Sequence, residues 1–260
     1  MNIRNRIIDL LKNSFTNKEY VYAMWLEGSD GLGKADEYSD LDFWFDVEDG
    51  YENTVLDECI EILQTIDKLD FIQSYEHPHP KIFQKNMHIS GTSEYLMLDI
   101  CVQSHSRGSE GCTFAENDIA EYPLILFDKA NVINIIKEPD IDLELIKKIY
   151  DECIDRFSQQ SRILKYIYRA KYPEAFAYYQ KYACQPIVNL LRIAYTPRYI
   201  EYGLVHISDH LPKDAVNKIE ALYKINSLDD IKNNLQYAGK LFYEAKNYAD
   251  DLIKGMEKKL

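Results

Sequence analysis

One stretch of the 260-residue chain limits what it can fold into more than any other: Leu26-Glu-Gly-Ser-Asp-Gly-Leu-Gly-Lys-Ala-Asp-Glu-Tyr-Ser-Asp-Leu-Asp-Phe-Trp-Phe45. Val21 to Leu26, just before and into it, reads as a short buried strand, and Gly28-Ser29 reads as a turn. Ten residues later Leu41, Phe43, Phe45 and Val47 alternate with Asp40, Asp42, Trp44 and Asp46. That two-residue period turns the aspartates to one face of a second strand and the apolar set to a core. Adjacent like charges on a strand face repel each other unless a cation lies between them. Mg²⁺ suits this place, since it accepts carboxylate oxygens and fills its shell with water and phosphate. The turn supplies the complement: glycine lets the backbone approach a phosphate closely, and the serine hydroxyl and amide can donate to it.

A strand, Gly28-Ser29, a ten-residue gap and Asp40-Leu41-Asp42 within an apolar strand together resemble the signature of the polymerase-β-like nucleotidyltransferase superfamily. The wording Gly-Lys-Ala-Asp-Glu-Tyr-Ser-Asp-Leu-Asp-Phe is similar to that of the small bacterial enzymes that adenylylate antibiotics. Leu190-Leu-Arg-Ile-Ala-Tyr195 followed by Gly203 to Asp214 is similar, more loosely, to the helical C-terminal part of lincosamide nucleotidyltransferases. The resemblance implies an enzyme that moves a nucleoside monophosphate, AMP from ATP, to a hydroxyl of a small molecule such as an aminoglycoside or lincosamide. It further implies Asp40 and Asp42 as Mg²⁺ ligands, Asp99 as a third carboxylate acting as metal ligand or general base, and Gly28, Ser29, Lys34 and Ser39 as the nucleotide contacts. Where the family motif often has a basic residue after Gly-Ser, this chain has Asp30-Gly-Leu-Gly33 and only then Lys34.

Charge narrows the acceptor. A net charge of −13 opposes a polyphosphate backbone and suits a cationic small molecule, so a nucleic-acid partner is not expected. No apolar run is long enough to span a membrane. The five cysteines (Cys59, Cys101, Cys112, Cys153, Cys184) lack metal-site spacing and are scattered, so a cytoplasmic, reducing location is expected. Two alternatives stand beside the small-molecule reading: transfer to a protein or RNA partner, and a nucleotide-binding regulator or antitoxin without turnover. The oligomeric state is not legible.

In chain order, Ile3, Ile7, Ile8, Leu10, Leu11 and Phe15 predict an opening amphipathic helix, and Val55 to Ile66 a second one. Strands follow near 81–90 and over Glu94 to Val102, where Leu96, Leu98, Ile100 and Val102 face one way and Asp99 the other. An ionised aspartate in so apolar a strand needs a partner. His77 and His79 lie between prolines as loop residues, His88 reads as an ordinary strand residue, and Lys81 and Lys85 are candidates to reach a triphosphate. Pro123 to Phe127 reads as a last strand. The fold class expected is α+β: a nucleotidyltransferase sheet with flanking helices over 1–138, then an all-α acceptor-binding domain over 139–260 with helices near 142–171, 173–195, 212–225 and 228–258. Fourteen of the 21 tyrosines fall at or after Tyr150. Most are expected to pack between helices, and a minority to line a cleft. Arg192, alone in an apolar helical run, is a candidate either for binding phosphate or acceptor or for pairing with an acid.

Overall fold

A computed structural model describes residues 2–258. In it the chain forms two compact units, Met1–Pro139 and Asp140–Leu260. Helix α1 (Ile3–Phe15) begins at Asn2, whose side chain accepts from the Arg4 amide. Strand β1 (Val21–Leu26), the single-turn α2 (Gly28–Gly31) and β2 (Leu41–Val47) come next, then α3 (Glu52–Leu63), β3 (Leu69–Tyr75), β4 (Ile82–Ile89) and β5 (Leu98–Ser104). A 3₁₀ segment over His105–Gly111 leads to β6 (Thr113–Ala115), β7 (Leu124–Asp128) and β8 (Asn134–Ile136).

Six strands form one sheet in the order β3-β4-β5-β2-β1-β7, antiparallel throughout except for the parallel β2–β5 pair at its centre. Parallel neighbours need a crossover, and α3, β3 and β4 make up the connection. The strand period puts Leu41, Phe43, Phe45 and Val47 of β2 and Leu98, Ile100 and Val102 of β5 against Ile7, Leu11 and Phe15 of α1 and Val55, Cys59 and Leu63 of α3. All of these are fully buried. The opposite face carries the aspartates and a smaller apolar cluster of Ala23, Trp25, Cys112, Phe114 and Val132, with the Trp25 and Trp44 rings stacked 5.9 Å apart. The short β6–β8 pair, which the sequence does not announce, supplies Phe114 to this cluster.

The second unit is helical among its described residues. It comprises α4 (Leu143–Phe157), α5 (Ser161–Tyr168), α6 (Tyr172–Tyr179), a π-helical turn over Gln180–Cys184, α7 (Gln185–Tyr195), the single-turn α8 (Ile207–His210), α9 (Lys213–Tyr223) and α10 (Leu228–Glu257). The helix expected over 142–171 is broken at Ser158–Gln160, and the one expected over 173–195 is interrupted by the π turn. Pro186 explains the second break: it has no N–H for the Tyr182 carbonyl, and an extra residue per turn relieves the clash of its ring. No helix among the described residues is long and apolar enough to cross a membrane.

Candidate active site

Register brings the site together. Asp42 of β2 lies directly opposite Asp99 of β5, and Asp99 lies opposite Asn86 of β4. Directly paired residues share a face, so Asn86, Asp99 and Asp42 form a row across three strands on the face away from α1 and α3. Asp42 and Asp99 are half-buried, whereas Asp40, one residue before β2, is exposed.

The Gly28-Ser29 turn sits against this row. The Glu27 amide donates to the Asp42 carbonyl at 3.0 Å, and Gly28 adopts φ +57°. A Cβ at Gly28 would lie 2.1 Å from Asp42 Oδ2, so only glycine lets the turn approach the carboxylate this closely. The Ser29 hydroxyl is buried and has no hydrogen-bond partner among the described residues, a state costly enough to call for a ligand.

The turn is held from an unexpected direction. Arg4, buried on α1, donates Nε to Asp30 Oδ1 at 3.2 Å and pairs through Nη2 with Asp30 Oδ2. It also donates Nη1 to the Ser39 carbonyl at 2.7 Å and Nη2 to the Asp40 carbonyl at 2.5 Å. One guanidinium therefore ties the turn to the backbone that leads into β2. Asp30 is the anchor for that clamp.

The electrostatics are those of crowded carboxylates. Burial, then Asp40, Asp99 and Asp30, push the Asp42 carboxyl up to about 7, with Arg4 opposing. Glu27, half-buried beside the turn, is likewise pushed up to about 7 by burial, against a 2.8 Å hydrogen bond from Trp25 Nε1. Asp99 is raised by burial and opposed by Gln84, whose Nε2 donates to both of its carboxylate oxygens at 2.8 and 2.7 Å. Among the described residues no three His, Cys, Asp or Glu side chains gather where they could hold a metal ion, so Asp40, Asp42 and Asp99 do not form a three-carboxylate site. The carboxylate donors, the orphaned serine hydroxyl and the cradle at Gly28 nevertheless fit Mg²⁺, which keeps several waters and phosphate oxygens and needs only one or two carboxylates.

Other residues singled out from the sequence are placed elsewhere. Lys34 is exposed. The Ser39 hydroxyl donates to Asp36 Oδ1 and accepts from the Asp36 amide, both at 2.9 Å, which closes a local loop. Lys85 pairs in register with Ile100, so it points to the face opposite Asp99 and binds Asp57 at 2.8 Å. Lys81 donates to the Ser106 carbonyl at 2.7 Å. His77 and His79 accept through Nδ1 from the amides two residues on, as loop residues do. His88 sits between Asp70 and the Ser93 carbonyl. Arg192 fits neither of its two expected roles: fully buried, it donates to the Gly203 and Val205 carbonyls and to Thr196 Oγ1, and contacts His210 Nδ1 at 2.9 Å.

No family model matches the sequence, and no curated protein does either. Solved structures that the chain is similar to include an aminoglycoside 6-adenyltransferase from Bacillus subtilis, at 13% identity and a TM-score of 0.38 over 97% of this chain and 95% of that one. A spectinomycin adenyltransferase from Enterococcus faecialis, solved with ATP and spectinomycin, is similar at 12% identity and a TM-score of 0.31 over 96% of this chain and 98% of that one. JHP933 from Helicobacter pylori is similar at 13% identity and a TM-score of 0.29, over 98% and 94%.

Proposed function

We propose that the chain is a Mg²⁺-dependent nucleotidyltransferase that moves AMP from ATP to a hydroxyl of a small, cationic acceptor such as an aminoglycoside or lincosamide. The observation that carries this reading is the Gly28 turn seated on Asp42 with Asp99 opposite in register. The turn amides and the Ser29 hydroxyl hold the terminal phosphates. Asp40 and Asp42 would hold Mg²⁺, which when bound would neutralise the phosphates and stabilise charge on the attacking and leaving oxygens. The acceptor oxygen forms a bond to the α-phosphorus as the bond to the bridging oxygen breaks and pyrophosphate leaves. Asp99, oriented by Gln84, takes the proton of the attacking hydroxyl; service as a third metal ligand is its alternative role. Acceptor recognition we assign to the helical unit.

The test is Mg²⁺-dependent pyrophosphate release from ATP with a panel of aminoglycosides and lincosamides, run beside a tRNA and a protein lysate. Release with an antibiotic, lost in Asp42→Asn, supports the reading. Release with none of them in either Mg²⁺ or Mn²⁺ overturns it. A second reading, transfer to an RNA hydroxyl, has the support of one feature, a cluster of basic side chains between Arg156 and Lys181.

A further inference from the structure

The helical unit holds a charge distribution at odds with the chain as a whole. Against a net charge of −13, residues 156–181 contain six basic side chains and a single acid, Glu174. Elsewhere in the unit half-buried lysines meet carboxylates, Lys147 with Glu257 at 2.7 Å and Lys218 with Glu244 at 2.6 Å. Arg162, Lys165, Arg169 and Lys181 are exposed and have no carboxylate at ion-pairing distance among the described residues.

They gather instead on tyrosine rings. The Arg162 guanidinium lies 5.6 Å and the Lys181 ammonium 5.5 Å from the Tyr182 centroid. Lys165 and Arg169 lie 5.8 and 5.9 Å from Tyr166. Tyr178 joins the two groups, 4.8 Å from Tyr166 and 5.5 Å from Tyr182. Tyr182 is buried beneath, whereas Tyr166 and Tyr178 stay half-buried. Next to Lys181 the surface sinks into a cavity of about 480 Å³ walled in part by the π turn; none of its lining residues is acidic. Gln180 Nε2 is buried in this wall without a hydrogen-bond partner among the described residues, a donor lacking its acceptor.

We propose that this face of α5, α6 and the π turn binds single-stranded nucleic acid. The four cations take phosphodiesters, unstacked bases pack against the solvent-facing parts of the half-buried Tyr166 and Tyr178 rings, and the cavity takes a base edge or ribose oxygen on Gln180. Cationic grooves interleaved with aromatic rings bind single strands in this way, and flat rings select unpaired bases over duplex. The cation pairs stand at opposite ends of a three-ring row, a layout for a ligand with several phosphates rather than one. The overall acidity does not contradict this, because phosphate contacts depend on local cations. If the strand is RNA, its hydroxyls join the candidate acceptors of the proposed transfer, but the binding surface stands independently of that reaction.

The experiment uses the full chain in EDTA, where no Mg²⁺-dependent transfer can interfere, and reads the anisotropy of a fluorescein-labelled ~20-nucleotide mixed-sequence RNA. Four phosphate contacts predict a log–log salt slope of about −3, so affinity should fall roughly 50-fold between about 50 and 200 mM KCl. The exposed triple variant R162Q/K165Q/R169Q should flatten the slope by about 2 and weaken binding at least ~10-fold. Tyr178→Leu should weaken binding by about fivefold or more without changing the slope. A DNA oligonucleotide of the same sequence, whether bound equally or more weakly, supports the single-strand surface and reports whether a 2′-hydroxyl is read. Absence of RNA binding at ~50 mM salt overturns the proposal. So does an unchanged affinity in the triple variant, or capture of phosphatidylserine vesicles in place of RNA.

Discussion

Replacing Gly28 by alanine tests the candidate site at its tightest contact. At φ +57° a side chain forces a left-handed backbone, at a cost of about 1–2 kcal/mol. The new Cβ would also stand 2.1 Å from Asp42 Oδ2 and 3.2 Å from its Cγ. The carboxylate must therefore retreat by about an ångström, and a displacement of that size at a reacting centre costs on the order of 10²-fold. Gly33→Ala separates the two effects, because Gly33 has φ +65° and nothing within 4 Å of its Cβ position. Both variants should lose about 2–8 °C in Tm, a few degrees per kcal/mol for a unit of this size. Only Gly28→Ala should also lose MgATP affinity by calorimetry and, with an acceptor in hand, transfer by roughly 10²-fold or more. Equal losses in both variants would place the damage in the backbone and refute the seating of the turn on Asp42. Retention of MgATP affinity in Gly28→Ala would remove the turn from the nucleotide site.

Three further perturbations address the clamp, the carboxylates and the base. Arg4→Met leaves Asp30 buried without its partner and should cost about 3–5 kcal/mol in chemical denaturation, much of it recovered in Arg4→Met/Asp30→Asn; additive losses would show that the clamp is not a coupled pair. Asp42 and Glu27 are both pushed up to about 7 in the folded state, from ordinary values near 4. Below pH 4 both are protonated whether folded or not; as pH rises toward 7 the unfolded chain sheds these protons first, so the metal-free protein loses stability across that window. The Tm rise on adding Mg²⁺ should accordingly be larger at pH 7.5 than at pH 5 and shrink in Asp42→Asn, and a pH-independent rise would place the metal elsewhere. Asp99→Asn should slow single-turnover transfer by roughly 10²–10⁴-fold at unchanged nucleotide affinity if Asp99 is the base, whereas full recovery at high Mg²⁺ would make it a ligand instead.

What could be read from the sequence, and what could not, divides along the range of the interactions. Gly28, Ser29, Asp40 and Asp42 lie within fifteen residues, and strand period predicts the two aspartates on one face; in the structure Asp42 lies within β2 and Asp40, exposed, just before it. Asp99 was visible as a charge out of place in an apolar strand. Its neighbour Gln84, which bonds both carboxylate oxygens, and Asn86, opposite it, depend on the β4–β5 register, which no local pattern encodes. Register also decides Lys85: one residue from Gln84 and Asn86 along β4, it necessarily points to the other face. Arg4 did leave a trace, since it occupies the same helical stripe as Ile7, Leu11 and Phe15, all buried. A guanidinium on a core-facing stripe requires acceptors, and its acceptors turned out to be Asp30 and the carbonyls at the threshold of β2. Arg192 follows the same rule in the helical unit, where neutral acceptors meet it. A buried arginine in an amphipathic pattern thus marks a backbone segment that must be held in place, and in the first unit that segment carries the carboxylates.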